Sequence, residues 1–541
     1  MKKIKVFALL ATLFVGIFSN LFTPVVSADE TTATVTIHKL KNKTGPIVNT
    51  GNVLDGYTAS DFLDGITYNV YDVTAAYHAK YNEVYTSTDA QAADNTARDY
   101  VQGTAGHAPK FEGTSYVATL KGTQTTATAE AATELVPKGA ATFTLPKKSG
   151  GKNAVYVFVE QPKTGITKAE NNLVLSFPVY ELNSDSSYTD KELTDIHLYP
   201  KNTTETITPV KDITTKNSDG AVPVEHNNYN VGYEIGFKLS TQIPANIGIK
   251  EVDGVTPHYN TFGLIDTHDT TLTFNTAGTH ELKVAGTTTV LTEGEEADYT
   301  IVVGEPAPAV GKATFKVKLT QKGINKLATH GRETLEFTYT MKLNANAKID
   351  EANVNKITVE YGRNKDGFND VVTTPGNEKE VYTGGYRFIK TDVSTNKPLA
   401  GAEFVVRDAD PDPTDADAPA PKYLKIDADT KEISWVDTYG EATKFTTEAE
   451  GIVDIKGLTY GTYYLEETQA PTDYVKLSER IAFDVKFKSY ETTTTTPGNV
   501  ANTPKGFLPQ TGGAGIILFV ALGAAMVGLA GVYFTSRRKD S

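Results

Sequence analysis

Thr314-Phe315-Lys316-Val317-Lys318-Leu319 alternates polar and apolar side chains with a period of two. Successive strand residues point to opposite faces of a sheet, so Phe315, Val317 and Leu319 are expected on one buried face. Outward from this stretch the same β-branched and aromatic character recurs. It is seen at Ala33-Thr34-Val35-Thr36-Ile37-His38, at Ala154-Val155-Tyr156-Val157-Phe158-Val159 and at Ile357-Thr358-Val359-Glu360-Tyr361. Gly, Asn, Asp and Pro separate these runs, and helical periodicity is brief, around Ala127 to Leu135 and Thr320 to His330. The pattern predicts an all-β chain of antiparallel sandwiches.

The chain has 541 residues, 39% hydrophobic and 22% charged. That is too long for one core and suggests about three domains. A net charge of −14 argues against a nucleic-acid partner, which would call for a basic footprint. With no cysteine, disulfides, thiolate metal sites and a cysteine nucleophile are excluded. HExxH, GxSxG, P-loop and dinucleotide signatures are missing from the sequence, so neither an enzyme nor a cofactor is expected. Asp408-Ala409-Asp410-Pro411-Asp412 has the acidic spacing of a calcium loop, but Pro413 stands where such a loop needs glycine. A solvated acidic loop is the better reading, and no metal is expected.

Both ends read as targeting signals. Lys2, Lys3 and Lys5 precede an apolar run from Val6 to Val26, and Val26-Ser27-Ala28 supplies a cleavage site. Residues 1–28 are therefore expected to be a removed leader. At the other end, Leu508-Pro509-Gln510-Thr511-Gly512 precedes an apolar stretch from Gly513 to Thr535 and then Arg537-Arg538-Lys539. That stretch is long enough to predict a transmembrane helix with a cytoplasmic basic tail. Between the ends, Thr-rich and Pro/Gly connectors suggest domains at 29–205, 206–378 and 379–506, with a sorting tail over 507–541.

The LPxTG pentapeptide, apolar span and basic tail in that order resemble the cell-wall sorting signal of Gram-positive surface proteins. The resemblance implies cleavage between Thr511 and Gly512 by a sortase, which passes the Thr511 acyl group to an amine. Tyr463-Tyr464-Leu465-Glu466-Glu467-Thr468-Gln469-Ala470-Pro471 resembles the E-box of CnaB-type domains, and Tyr386-Arg387-Phe388-Ile389-Lys390 opens the same block. Such domains close a Lys–Asn isopeptide bond by themselves. By this likeness Lys390 is the amine, Glu467 the promoting acid and Asn502 the acceptor, with Asn499 in competition.

The first block has a weaker version. Val35-Thr36-Ile37-His38-Lys39 ends in lysine, Tyr156-Val157-Phe158-Val159-Glu160 resembles a degenerate E-box, and Asn202 closes the block. Lys39, Glu160 and Asn202 form the implied set, with Lys41 as the alternative amine. The middle block resembles a CnaA-like sandwich using aspartate. Pro209-Val210-Lys211-Asp212-Ile213 offers the amine, Phe262-Gly263-Leu264-Ile265-Asp266 the acid, and Asn355 the acceptor, with Asn353 and Asn364 as rivals. Burial lowers a lysine pKa toward the nucleophilic amine and raises a carboxyl toward the protonated acid, which is the chemistry such a set needs.

His197-Leu198-Tyr199-Pro200-Lys201-Asn202 is similar to the pilin motif whose YPK lysine accepts the sortase acyl group, although only the YPKN core matches. From leader to tail the chain resembles the major (backbone) pilin of Gram-positive sortase-assembled pili. The likeness implies three tandem immunoglobulin-like CnaA/CnaB-type sandwiches polymerised through Thr511 and Lys201, in a structural protein that supports adhesion and colonisation. The implied partners are a pilus-class sortase, identical subunits, minor or tip pilins, host surface ligands, and peptidoglycan through a housekeeping sortase. A wall-anchored monomeric adhesin or minor pilin is the alternative, and it has no need of Lys201.

Overall fold

The computed structural model describes residues 31–506 apart from 130, 134–136, 169–170, 184–186, 216–225, 366–367, 411–419 and 492–495. It also describes 522–523 and 525–530. Among these residues the fold is mostly β, arranged as sandwiches with separate apolar cores.

The first sandwich uses β1 (Thr32–His38), β2 (Thr67–Asp72), β3 (Thr119–Thr125), β4 (Ala140–Pro146), β5 (Val155–Glu160), β6 (Leu173–Ser176) and β7 (Asp195–Leu198). One sheet runs β7-β1-β4, with β1 and β7 parallel, and the facing sheet runs β6-β5-β2-β3. Val35, Ile37, Phe143, Tyr156, Phe158 and Ile196 fill the space between them. The segment β8 (Lys201–Thr204) then runs parallel to a short Leu40–Lys41 strand.

Two helices, α1 (Thr74–Tyr85) and α2 (Ala90–Gln102), cover the outer face of β5. Val155, Val157 and Val159 pack against Ala76, Ala97 and Val101, while Tyr156 and Phe158 face the sandwich core. Both faces of β5 are covered, which is why it reads as an apolar run and not as an alternation. The helices were not expected. The Asp89 carboxylate caps α2 by accepting from Ala92 N at 2.8 Å. The helix expected over Ala127–Leu135 is not present among its described residues, which lie in turns and loops. The other expected helix is short, Gln321–Lys326 (α3), and is capped by Thr320 through Gly323 N.

The middle sandwich uses β9 (Val210–Ile213), β10 (Glu234–Gln242), β11 (Thr261–Asp269), β12 (Glu281–Val284), β13 (Val290–Leu291), β14 (Tyr299–Val303), β15 (Lys312–Leu319), β16 (Thr334–Leu343), β17 (Asn353–Lys365) and β18 (Phe368–Val381). Its sheets run β9-β10-β16-β12-β13 and β14-β15-β11-β17-β18. Thr373-Thr374-Pro375-Gly376-Asn377, read from the sequence as a connector, lies inside the edge strand β18. Pro375 is tolerated there because an edge strand leaves one side unpaired, and the register shifts beside its partner Thr358.

The third sandwich uses β19 (Gly384–Asp392), β20 (Glu403–Arg407), β21 (Tyr423–Ile426), β22 (Ile433–Val436), β23 (Ile452–Leu458), β24 (Gly461–Gln469), β25 (Ile481–Val485) and β26 (Gly498–Asn502). Its sheets run β23-β19-β26, with β19 and β26 parallel, and β22-β21-β20-β24-β25.

Neighbouring sandwiches are joined by directed polar contacts. Asp370 in β18 accepts from Lys163 Nζ at 2.8 Å and from Thr164 N at 2.6 Å. Asn228 Oδ1 accepts from Thr459 Oγ1 at 2.6 Å and Tyr460 N at 2.7 Å, and Asp350 Oδ2 accepts from Tyr490 N at 2.6 Å.

The expected transmembrane helix is corrected. No helix among the described residues is long and apolar enough to cross a membrane. The described tail residues are helical at 522–523 and 525–530. Gly523 and Gly528 lie within these helical residues, and glycine is about 1 kcal/mol poorer than alanine inside a helix. The rest of the 513–535 span lies outside the described residues.

Candidate functional site

Strand parity selects the inward side chains. Ala33, Val35, Ile37 and Lys39 fall on one side of the opening segment, so the lysine ends an apolar row and is 0% exposed. Tyr156, Phe158 and Glu160 form the matching row on the facing sheet. Lys39 Nζ donates to Glu160 Oε2 at 2.6 Å, and Tyr68 Oη donates to the same oxygen at 3.1 Å. Asn202 Nδ2 donates to Glu160 Oε1, and the buried Asn202 Oδ1 lacks a hydrogen-bond partner. Lys41, the alternative amine, is exposed.

The third sandwich repeats this arrangement. Phe388 and Lys390 share one face, as do Leu465 and Glu467, and Val500 and Asn502. Lys390 Nζ donates to Asn502 Oδ1 and lies 3.3 Å from Glu467 Oε1. Asn502 Nδ2 donates to both Glu467 oxygens, at 2.9 and 3.0 Å. Burial lowers the Lys390 pKa, with Glu467 pulling it partly back. Asn499 has the opposite parity. It is exposed and accepts from Thr391 Oγ1 at 2.6 Å, away from the amine.

The middle cluster is sealed, with Lys211, Asp266 and Asn355 all 0% exposed. Lys211 Nζ donates to Asp266 Oδ2 at 2.7 Å, to Asn355 Oδ1 and to the Lys356 carbonyl at 2.9 Å. Burial lowers the Lys211 pKa to about 8, against the opposing pull of Asp266. Burial alone pushes the Asp266 carboxyl up. The Lys211 ammonium and the His268 ring nevertheless hold it below its usual value, contrary to the expectation of a raised acid. Asn353 is buried, but its amide bonds to Val381 O, Lys348 O and Glu351 O, whereas Asn364 is exposed beside Asn260.

Several residues around this cluster carried no sequence signal that was read. His268 Nδ1 donates to Asp266 Oδ1 at 2.7 Å, and Tyr339 Oη donates to Asp266 Oδ2. The Asn377 side chain brackets the amine's own backbone, accepting from Lys211 N at 2.6 Å and donating to Lys211 O at 3.0 Å. Tyr339 was findable, because Leu335, Phe337, Tyr339, Met341 and Leu343 point inward and it alone carries a hydroxyl.

Lys201 and Asn202 are neighbours on β8 and so project to opposite sides. Asn202 is buried at the Glu160 cluster, while Lys201 is part-exposed, with its amine on the Gly45 carbonyl. Tyr199 anchors the motif, stacking on His38 and accepting from Leu54 N at 2.9 Å. Leu508, Pro509, Gln510, Thr511 and Gly512 lie outside the described residues. So do Pro411, Asp412 and Pro413 of the acidic loop, whose Asp410 pairs with Arg480.

Residues 30–203 match the family model of the Gram-positive pilin subunit D1 N-terminal domain. The N-terminal domain is a Gram-positive pilin domain. Residues 384–499 match a prealbumin-like fold domain, and residues 502–541 match the LPXTG cell wall anchor motif. Together the pilin domain and the anchor motif indicate a cell wall-anchored surface pilus protein. The full-length RrgB pilus protein of Streptococcus pneumoniae is similar over 89% of this chain and 99% of its own, at 20% identity and a TM-score of 0.53. The major pilin SpaD of Corynebacterium diphtheriae aligns over 87% of this pilin and 98% of its own chain, at 19% identity and a TM-score of 0.43. The RrgB likeness shows a shared multidomain β fold. Comparison of the pilin sequence with curated proteins finds no significant match.

Proposed function

We propose that this pilin is the backbone subunit of a covalent filament, with units at about 29–205, 206–378 and 379–506. A pilus-class sortase cleaves after Thr511 and transfers its acyl group to Lys201 of another copy. Repetition then makes an open head-to-tail polymer, because the two joined patches differ. Within each subunit, Lys39–Asn202, Lys211–Asn355 and Lys390–Asn502 become isopeptide bonds, promoted by Glu160, Asp266 and Glu467. A housekeeping sortase attaches the polymer base to peptidoglycan, and minor pilins and host ligands complete the adhesive role. The subunit is a sortase substrate whose own chemistry runs once per bond.

The observation that carries this reading is the YPKN pair, in which Asn202 turns in toward Glu160 while Lys201 turns out with its amine at the surface. Each cluster also joins residues more than a hundred apart in sequence. Closing such a loop constrains the unfolded chain by roughly 4–5 kcal/mol on the chain-entropy model. Denaturing gels of wall extracts test polymerisation, with a high-mass ladder expected that collapses in Lys201→Ala. A ladder unchanged by that substitution overturns the backbone role and favours another acceptor.

A further inference from the structure

In the two outer clusters the acid touches the amide that must leave. Asn202 Nδ2 and Asn502 Nδ2 each donate directly to their glutamate. The middle cluster is wired differently. Asn355 Nδ2 donates to Tyr339 Oη at 3.2 Å and to Met341 Sδ at 3.1 Å, and it is Tyr339 Oη that donates to Asp266 Oδ2. Tyr339 is 2% exposed and projects from β16, on the sheet opposite Asp266 and Asn355. Its hydroxyl thus stands between the Asp266 carboxylate and the Asn355 amide.

We propose that Tyr339 is a catalytic residue of the middle cross-link, relaying protons from Asp266 to the departing nitrogen of Asn355, with His268 as a positioning residue that fixes the Asp266 carboxylate. The proposal rests on the reading that Lys211 and Asn355 become joined. Lys211 enters as ammonium and gives one proton to Asp266 Oδ2. The free amine attacks Asn355 Cγ, forming the Nζ–Cγ bond. Asp266 then donates to Tyr339 Oη while Tyr339 donates its own proton to Nδ2, and the Cγ–Nδ2 bond breaks. The second proton lost by Nζ follows the same path, so the nitrogen departs as ammonium. Asp266 ends as carboxylate and Tyr339 as phenol, and no co-reactant is consumed. Deep burial and the neighbouring Asp266 carboxylate hold the Tyr339 pKa far above its ordinary value, so it carries the proton without ionising. His268 Nδ1 holds Oδ1, which leaves Oδ2 to serve both Lys211 and Tyr339.

The test is Tyr339→Phe in the full chain, which keeps the ring and removes only the hydroxyl. Peptide mapping at timed intervals after refolding reads each cross-link separately, so Lys39–Asn202 and Lys390–Asn502 serve as internal controls. The expected result is a middle bond slowed by roughly 10²-fold, the ordinary scale of a lost proton-transfer group, with both outer bonds unaffected. Adding Asp266→Glu, whose longer arm reaches the amide as the outer glutamates do, should restore the bond in the Phe variant. A purely structural role for Tyr339 predicts no such rescue, and failure of rescue overturns the relay. A middle bond formed at the wild-type rate in Tyr339→Phe also overturns it. A wild-type chain lacking the Lys211–Asn355 link sinks the underlying cross-link reading instead, and is seen before any variant is made.

Discussion

The outer and middle clusters use the same three functional groups in different mechanical frames. In the third sandwich the amine and the asparagine lie on parallel neighbours of one sheet, in the first Lys39 directly precedes the short strand that runs parallel to β8, and in both the glutamate reaches across from the facing sheet. In the middle sandwich Lys211 belongs to one sheet, while Asp266 and Asn355 belong to the other, with His268 paired directly opposite Asn355. A bond at an outer cluster would therefore tie the opening segment of its sandwich to the closing one. The proposed middle bond would staple two sheets together. On the proposed reading one chemistry would protect two kinds of weak seam, namely strand unzipping at the ends and sheet separation at the centre.

The largest expected effect comes from removing an acid. Asp266→Ala should abolish the middle link and leave Lys211 uncompensated in a sealed core, costing about 3–5 kcal/mol beyond the lost bond. Thermal unfolding and the intact mass together measure both parts. If Asp266→Ala proved no worse than Asn355→Ala, the two frames would not differ in how they hold the amine.

Removing an acceptor comes next, at roughly 4–5 kcal/mol for each lost loop closure. Here the comparison sharpens, because Asn502→Ala should free mainly β26 while Asn355→Ala should loosen β9 and β17 on opposite sheets. Hydrogen exchange distinguishes the two patterns, and identical patterns would break the distinction.

A pH effect of intermediate size is expected at the middle site. With Lys211 lowered to about 8, the neutral amine fraction rises as pH rises toward 8. Because the amine's proton passes to Asp266 and not to solvent, the rate of middle-bond formation should be level below that value and fall roughly tenfold per unit above it, as the pair loses the proton it shares. Timed quenching after refolding across pH 6 to 9 measures the slope.

Smaller still, Asn377→Ala removes the bracket on the Lys211 backbone and should cost about 1 kcal/mol, read by denaturant unfolding. At the end of the scale, Asn499→Ala should leave the mass deficit unchanged, since its side chain faces away from Lys390.

Much of this was legible from strand parity and local motifs. Lys39, Lys390 and Glu467 each end an alternating row whose other inward members are apolar. Lys211 and Asn355 were harder, because their partners lie on another sheet and no local run joins them. Tyr339 and His268 were not read at all. Tyr339 sits 73 residues from Asp266, and a tyrosine in an apolar row ordinarily signals packing alone. The helices α1 and α2 were missed because the valines they cover, Val155, Val157 and Val159, look in sequence like ordinary strand residues. The expected transmembrane helix was read from apolar composition, and the residues described within that span, 522–523 and 525–530, are too few to make a helix that crosses a membrane.

The central claim, that three buried clusters close three covalent bonds in two frames, is tested most directly by the intact mass of the chain after folding. The account predicts a mass lower than the sequence mass by one ammonia for each of the three bonds, with peptides linking Lys39 to Asn202, Lys211 to Asn355 and Lys390 to Asn502. A mass equal to that of the sequence would contradict it outright.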